Sequence, residues 1–200
     1  MPGAAAMGVK AGYSQADVVA AALAQVNARG WHELSMGEVA QRLKIKAPSL
    51  YNHVDGVTGL RRLLAIHASR VMNDALTKAT VGKSGEGAAR AMAHAHRAFL
   101  KANPGLLDAT VAAPPKRDRE WTAAAAAGIG TCVAVLQGYG LKQEQALHAI
   151  RGFRSAVHGF VTLELNGGFG LPLDVDRSFA WLVDALIDGM AALIPRRPGS

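Results

Sequence analysis

Apolar residues recur at three- and four-residue intervals along most of the chain, and polar or glycine-rich breaks cut that rhythm into segments of helical length. Val18, Val19, Ala22, Leu23 and Val26 make a first stripe. Ser14 and Asp17 open it with the spacing of a capping box, and Gly30 closes it. Ser35 and Glu38 form a second box before a short helix with Met36, Val39, Ala40 and Leu43 inward. Lys44-Ile45-Lys46 is too brief for more than a turn, and Pro48 suits the first turn of another short helix, where its missing N–H costs nothing. A fourth helix is predicted from near Val57, capped by Asp55, with Leu60, Leu63, Leu64, His67 and Val71 on its apolar side. Val81-Gly82-Lys83-Ser84-Gly85 ends it. Helices over 86–102, 117–137, 142–165 and 175–193 follow, separated by Asn103-Pro104-Gly105, Pro114-Pro115, Gly138-Tyr139-Gly140 and Asn166-Gly167-Gly168. No segment alternates as a strand would, and the predicted fold class is all-α.

The pattern divides the 200 residues into a loose N-terminal arm over 1–12, a small helical domain over 13–60, a connecting helix and linker over 61–85, and a larger helical domain over 86–195. Half the residues are hydrophobic, which excludes a disordered chain. Cys132 is the only cysteine, so a disulfide framework is excluded and a reducing cytoplasm is the expected compartment. The stretch Thr122 to Leu141 carries no charge, but it is mostly Ala and Gly and interrupted by Gln137, Gly138 and Gly140. A buried helix is expected there and no membrane span. The net charge of +7 would suit a nucleic-acid partner, yet residues 1–60 hold only +1 of it. Local placement, and not bulk charge, has to carry any such partner.

That placement is found between Leu34 and Tyr51, which have the anatomy of a helix-turn-helix. Ala40 is the small residue where two short helices cross, and Leu43, Ile45 and Leu50 close a miniature core. The second helix then offers Ser49, Tyr51, Asn52 and His53 to a major groove, with Lys46 where a phosphate would lie. On spacing alone, a plain helical hairpin within a bundle reads equally well.

The run Leu34-Ser35-Met36-Gly37-Glu38-Val39-Ala40-Gln41-Arg42-Leu43, followed by Ala47-Pro48-Ser49-Leu50-Tyr51-Asn52-His53-Val54, resembles the DNA-binding domain of TetR-type regulators, as do the flanking Gly30-Trp31 and Leu60. The resemblance implies a homodimer, a double-stranded palindromic operator and a C-terminal domain that takes a small-molecule effector. Its DNA-facing set is Ser35, Lys46, Ser49, Tyr51, Asn52 and His53, with Tyr51 and His53 on the phosphate backbone, and Lys44 and Pro48 join them as candidate DNA contacts of this chain. Three positions depart from the pattern. Lys44 replaces a glycine at a left-handed turn, Val57 replaces a phosphate-anchoring lysine, and Gly37 replaces an arginine that reads a base in some members.

In the second half, His96 to Leu106 and Val157 to Glu164 resemble one subclass of TetR-like ligand-binding domains, although Arg154 stands where that subclass has tryptophan. Met92, His96, Phe99, Trp121, Arg154 and His158 are candidates to line a pocket for an apolar molecule, with an acidic group facing Arg154 or His158. The stripes on 142–165 and 175–193 are more apolar than outer helices of a monomer need. In the family it resembles, two such helices from each subunit form the dimer interface, which makes Val157, Gly159, Phe160, Val161, Phe179, Leu182, Val183, Leu186 and Met190 the candidate interface, with the core of a monomer as the alternative. His94 and His96 are two apart and diverge on a helix, so no metal site is expected, and no cofactor is implied. The chain holds no HExxH, GxSxG or P-loop motif, and Cys132 lies in an apolar run without a charged neighbour, so catalysis is not expected. A ligand-blind dimeric DNA-binding protein is the alternative to a sensor.

Overall fold

The computed structural model describes residues 13–192, which form eight α-helices and no strand. The arm expected over 1–12 and the end of the last domain, 193–195, lie outside the described residues. The helices are α1 (Gln15–Arg29), α2 (Met36–Arg42), α3 (Ala47–Leu50), α4 (Gly56–Thr80), α5 (Gly85–Ala102), α6 (Arg119–Gly138), α7 (Gln143–Leu165) and α8 (Val175–Ala191). Three 3-10 turns that periodicity does not reveal, Trp31–Glu33, Pro104–Leu106 and Asp108–Thr110, fill connections between them.

Capping chemistry sets the starts. Ser14 and Asp17 form the full reciprocal box, with the Ser14 N–H donating to Asp17 Oδ2 at 2.8 Å. At α2 only half of the expected box forms. Ser35 Oγ accepts the Glu38 N–H at 3.4 Å, but the Ser35 N–H donates to Gln25 Oε1 instead of to Glu38. Asp55 precedes α4 without a side-chain cap bond, and the helix begins at Gly56.

α1, α2, α3 and the start of α4 close around Val18, Val26, Val39, Leu50 and Leu60, all with essentially no exposed surface, while Val19 and Leu23 lie at the edge. A polar residue sits in this core. Gln25 is fully buried, and its amide donates to the Glu33 carbonyl at 2.7 Å and to Glu38 Oε2 at 3.1 Å. Its three bonds tie α1 to the entry of α2.

The boundary expected at 60/61 falls inside α4, which runs through it unbroken. Beyond its first turns α4 packs between α5 and α6, which is why Ala65, Ile66 and Ala68 are buried alongside Leu63 and Leu64, and Val71 is exposed. Residues 81–85 are thus a turn within the larger bundle. α6 is long and apolar enough to cross a membrane by length and composition. The expected burial holds for one face only: Ala124, Val133 and Leu136 are buried, and the exposed positions are mostly alanine and glycine, with Thr122, Ile129 and Gln137 among them.

The stripes of α7 and α8 serve the chain's own core. Val157, Val161, Phe179, Val183 and Met190 are buried within a single chain, so they have no surface to offer a partner. Gly159 is exposed, and Phe160, Leu182 and Leu186 are half-buried at the rim. A buried ion cluster crosslinks this core. Arg97 on α5 makes two bonds to Glu164 on α7, Nε–Oε2 at 2.9 Å and Nη2–Oε1 at 2.7 Å, and reaches Asp176 on α8 at 2.7 Å. Its guanidinium stacks 4.7 Å from the Phe179 ring centre.

The bundles share α4 and a continuous core, and two further contacts bind them. Arg62 on α4 pairs with Asp118, the N-cap of α6, and with Glu120. Gly105, in the connection from α5 to α6, lies against the backbone of α1, and its N–H donates to Asn27 Oδ1 at 3.2 Å. A Cβ at this position would stand 2.6 Å from the Val26 carbonyl carbon and 2.7 Å from the Asn27 nitrogen. Only glycine permits that approach.

Unfolding measurements test both the ion cluster and the glycine contact. Glu164→Ala leaves a buried guanidinium with only the exposed Asp176, and equilibrium unfolding should show a loss of about 3 kcal/mol. The Arg97 guanidinium holds the Glu164 carboxyl below its ordinary value of 4.5. That contribution is complete above the ordinary value and fades as pH falls through the lower folded one. The variant's deficit should therefore shrink on acidification, and a pH-independent deficit would contradict the ion-pair assignment. Gly105→Ala should cost about 1–3 kcal/mol by overpacking against α1, and an unchanged denaturation midpoint would show that the contact is loose.

Candidate nucleic-acid interface and internal cavity

The α2–α3 unit is built by its turn. Leu43, Lys44 and Ile45 donate their N–H groups back to Val39, Gln41 and Ala40 at 3.1, 3.0 and 3.0 Å, and the chain reverses at Lys44 with φ of 56°. This is the left-handed conformation the sequence indicated, held here by a lysine at a strain of roughly 1 kcal/mol. Glu38 fixes α2 from below, accepting from Gln25 and pairing with Arg29 at 3.1 Å and Arg42 at 3.2 Å.

α3 is one turn long, with Pro48 at its start and Leu50 fully buried as its anchor. Burying Leu50 turns the rest of the segment outward. Lys44, Lys46, Pro48, Ser49, Asn52 and His53 are exposed, and Tyr51 keeps 60% of its surface in solvent. The run 44–53 contains two lysines and no acid, so its outward side is a cationic, hydrogen-bonding surface. Ser35 differs from the others. It is half-buried with its hydroxyl accepting the Glu38 N–H as the cap of α2, which leaves its O–H donor and one lone pair for another partner.

In the larger bundle, α4, α5, α6, α7 and residues 109–114 enclose a cavity of about 330 Å³. Met92, His96, Trp121 and Arg154 line it as expected. Phe99 does not, being packed into the core beyond it, and His158 stands behind His96 on the wall of a second, shallower hollow of about 290 Å³ shared with Arg151 and Arg154. The two imidazoles meet edge-on with ring centres 5.1 Å apart, and Nε2 of each is buried without a hydrogen-bond partner. An unpaired buried nitrogen of this kind costs about 1–3 kcal/mol. Burial first, and then neighbouring charge including Arg154, lowers His96 to about 3 and His158 to about 4, so both are neutral at pH 7. His94 diverges from His96 and packs edge-on against Phe179. Cys132 also lines the cavity, and burial pushes its thiol up to about 11, which keeps it protonated.

Arg154 spans the cavity mouth. Its Nη2 donates to the carbonyls of Thr110 at 2.5 Å and Val111 at 2.9 Å, closing the end of the second 3-10 turn in the α5–α6 connection. Sequence reasoning did not find residues 109–114 as cavity wall, nor Gln25, Arg62 or Arg97. A proline-bounded connection shows no periodicity, and single polar residues within apolar stripes read as interruptions. Gln25 had one available signal, its position three and four residues from Ala22 and Ala21 on the inward face.

Comparison with known proteins agrees with this geometry. Residues 18–54 match the model for bacterial regulatory proteins of the tetR family, and residues 89–186 match a tetracyclin repressor-like C-terminal domain. An uncharacterised HTH-type transcriptional regulator of Mycobacterium tuberculosis is 38% identical over 181 residues, covering 88% of this chain and 81% of that protein. A second uncharacterised HTH-type regulator, from Bacillus subtilis, is 26% identical over 92% of this chain and 96% of its own length. Among solved structures, a single-site TetR variant from Acinetobacter baumannii in complex with minocycline superimposes with a TM-score of 0.73 at 22% identity, covering 92% of this chain and all of that one. The Streptomyces coelicolor TetR family protein ActR in complex with actinorhodin gives 0.71 at 22% identity, covering 93% and 100%. At those identities the structures speak for the fold, and the family models and the mycobacterial relative speak for the lineage. The chain belongs to the TetR family of DNA-binding transcriptional regulators, and is not an enzyme.

Proposed function

We propose that the protein is a homodimeric repressor in the cytoplasm that holds a palindromic operator through two copies of α3 and releases it when a small molecule fills the cavity. The observation that carries this reading is the continuity of residues 105–114. Ala109, Thr110 and Ala112 to Pro114 are cavity wall, and Gly105 in the same connection is wedged against α1 of the DNA-binding bundle. Filling the cavity therefore acts on the segment that sets the position of α1. The structural neighbours solved with minocycline and actinorhodin support a small-molecule role for such a cavity.

The dimer face lies on the side of α7 and α8 turned away from the core. Trp181, Ala185 and Gly189 share one exposed face of α8 at four-residue spacing, and Trp181 keeps 74% of its surface. On α7, Gly152, Ser155, Gly159 and Leu163 form an exposed strip, and a Cβ at Gly159 would meet nothing within 4 Å. An aromatic anchor beside small residues suits close packing of a second copy.

Within the DNA interface, Lys44, Lys46, Tyr51 and His53 take phosphate, while Ser49 and Asn52 face base edges. Pro48 and Ser35 position the leading turns. Tyr51→Phe and His53→Ala should weaken operator and random duplex alike by about 1 kcal/mol each. Lys46→Ala should lower the slope of log affinity against log salt by about 1 per half-site. Ser49→Ala and Asn52→Ala should cost about 1–3 kcal/mol on operator only. Operator affinity unchanged by replacing Tyr51, Lys46 and Ser49 would overturn the DNA assignment. Sedimentation should show a dimer at micromolar concentration, loosened by roughly 2 kcal/mol or more in Trp181→Asp, and a monomeric unmodified protein would overturn the dimer.

A further inference from the structure

The charges around the cavity are one-sided. Arg151 and Arg154 line it, and no Asp or Glu does. Among the described residues neither Arg151 nor Arg154 has a carboxylate partner, so their charge is not neutralised at the cavity. Arg154 instead spends its donors on two neutral main-chain carbonyls. Inward of these arginines the wall is apolar, with Met92, Trp121, Ile150 and Phe153. Next to Arg154 stands the His96–His158 pair, with a buried and unpartnered nitrogen on each ring.

We propose that the effector is an apolar monocarboxylate whose acid group draws Arg154 away from the Thr110 and Val111 carbonyls, freeing the connection that braces α1. The proposal rests on the ligand-responsive reading above and names its ligand class and first step. Arginine binds carboxylate through two parallel hydrogen bonds to an acceptor that carries a full negative charge, which a main-chain carbonyl lacks. An arriving acid therefore outcompetes residues 110 and 111 for the same guanidinium. The same group brings acceptor oxygens beside two neutral imidazoles that lack a partner. A cation would meet two arginines and no counter-charge. A neutral ligand of the same shape would fill the apolar part and leave Arg154 where it is. The released carbonyls end the 3-10 turn Asp108–Thr110, which is separated by a single residue from the turn containing Gly105. Loosening the first loosens the contact on Val26 and Asn27.

The test uses the full chain and calorimetric titration with octanoate and 2-naphthoate, each against its primary amide. At least one acid should bind about tenfold or more tighter than its amide, the difference expected for a charge-assisted pair. Arg154→Gln should bring the acid down to the affinity of the amide while leaving the amide unchanged, and Arg154→Lys should restore part of the preference. Hydrogen exchange on the unmodified protein reads the same step without a variant. Bound acid should speed exchange at the amides of residues 106–111, and bound amide should not. The inference falls if neither acid binds, if acids and amides bind alike, or if bound acid leaves 106–111 unchanged. Operator release by amides as readily as by acids discards the carboxylate and keeps the ligand-responsive reading. Operator affinity unmoved by any molecule seen to bind in the cavity discards that reading itself.

Discussion

The two halves of the molecule meet where Gly105 lies flat against the last turns of α1, at a separation that no side chain allows. A contact made backbone to backbone has little slack, because neither surface can adjust by changing a rotamer. On one side of it, α1 carries Gln25, whose buried amide fixes the entry to α2 and reaches Glu38. Glu38 in turn holds Arg29 and Arg42, and α2 supports the turn at Lys44 that aims α3 outward. On the other side, the connection continues through two 3-10 turns to the carbonyls held by Arg154, at the edge of a cavity. One short segment, together with α4 running through both bundles, thus links the exposed α3 surface to the cavity wall.

Electrostatics reinforces this arrangement. Arg62 near the start of α4 binds the cap of α6, so the helix following the DNA-binding bundle is clamped to the helix following the cavity loop. Deeper in the larger bundle, Arg97 gathers carboxylates from α7 and α8 and lies over Phe179, which locks three helices together at a distance from the DNA surface. A rigid core beside a segment held by a few replaceable hydrogen bonds is what a two-state response requires. The overall charge of +7 plays little part in this, since the DNA-binding third carries almost none of it, and its exposed lysines and hydroxyls are gathered around α3.

Much of this was legible in the sequence. Helix limits followed from caps and from glycine and proline breaks, because those residues act locally on the backbone. Ala40, Ile45 and Leu50 suggested two short helices crossing, the family resemblance was needed to tell a helix-turn-helix from a plain hairpin, and it placed Lys44 correctly in the left-handed turn. The α7 and α8 stripes were read as a dimer face, and the chain's own core covers most of them. Periodicity reveals that α7 and α8 each have an apolar stripe, but it cannot say whether the same chain or a partner covers it, so Val157, Phe179 and Val183 proved to be core while Trp181 went unnoticed. For the same reason α6, rich in small residues, read as wholly buried. The cavity was half found. Met92, His96, Trp121 and Arg154 lie on helices whose faces can be counted, whereas residues 109–114 have no period to read.

The coupling between cavity wall and DNA surface is testable without knowing the effector, because linkage between two sites is reciprocal. Operator duplex, selected from a random pool with the purified protein, should be added while amide hydrogen exchange is followed across the full chain. The account predicts slowed exchange not only around α2 and α3 but also at residues 105–111, which lie in the larger bundle outside the helix-turn-helix, with a weaker effect from random duplex. Protection confined to the helix-turn-helix, with 105–111 exchanging at an unchanged rate on operator, would contradict it.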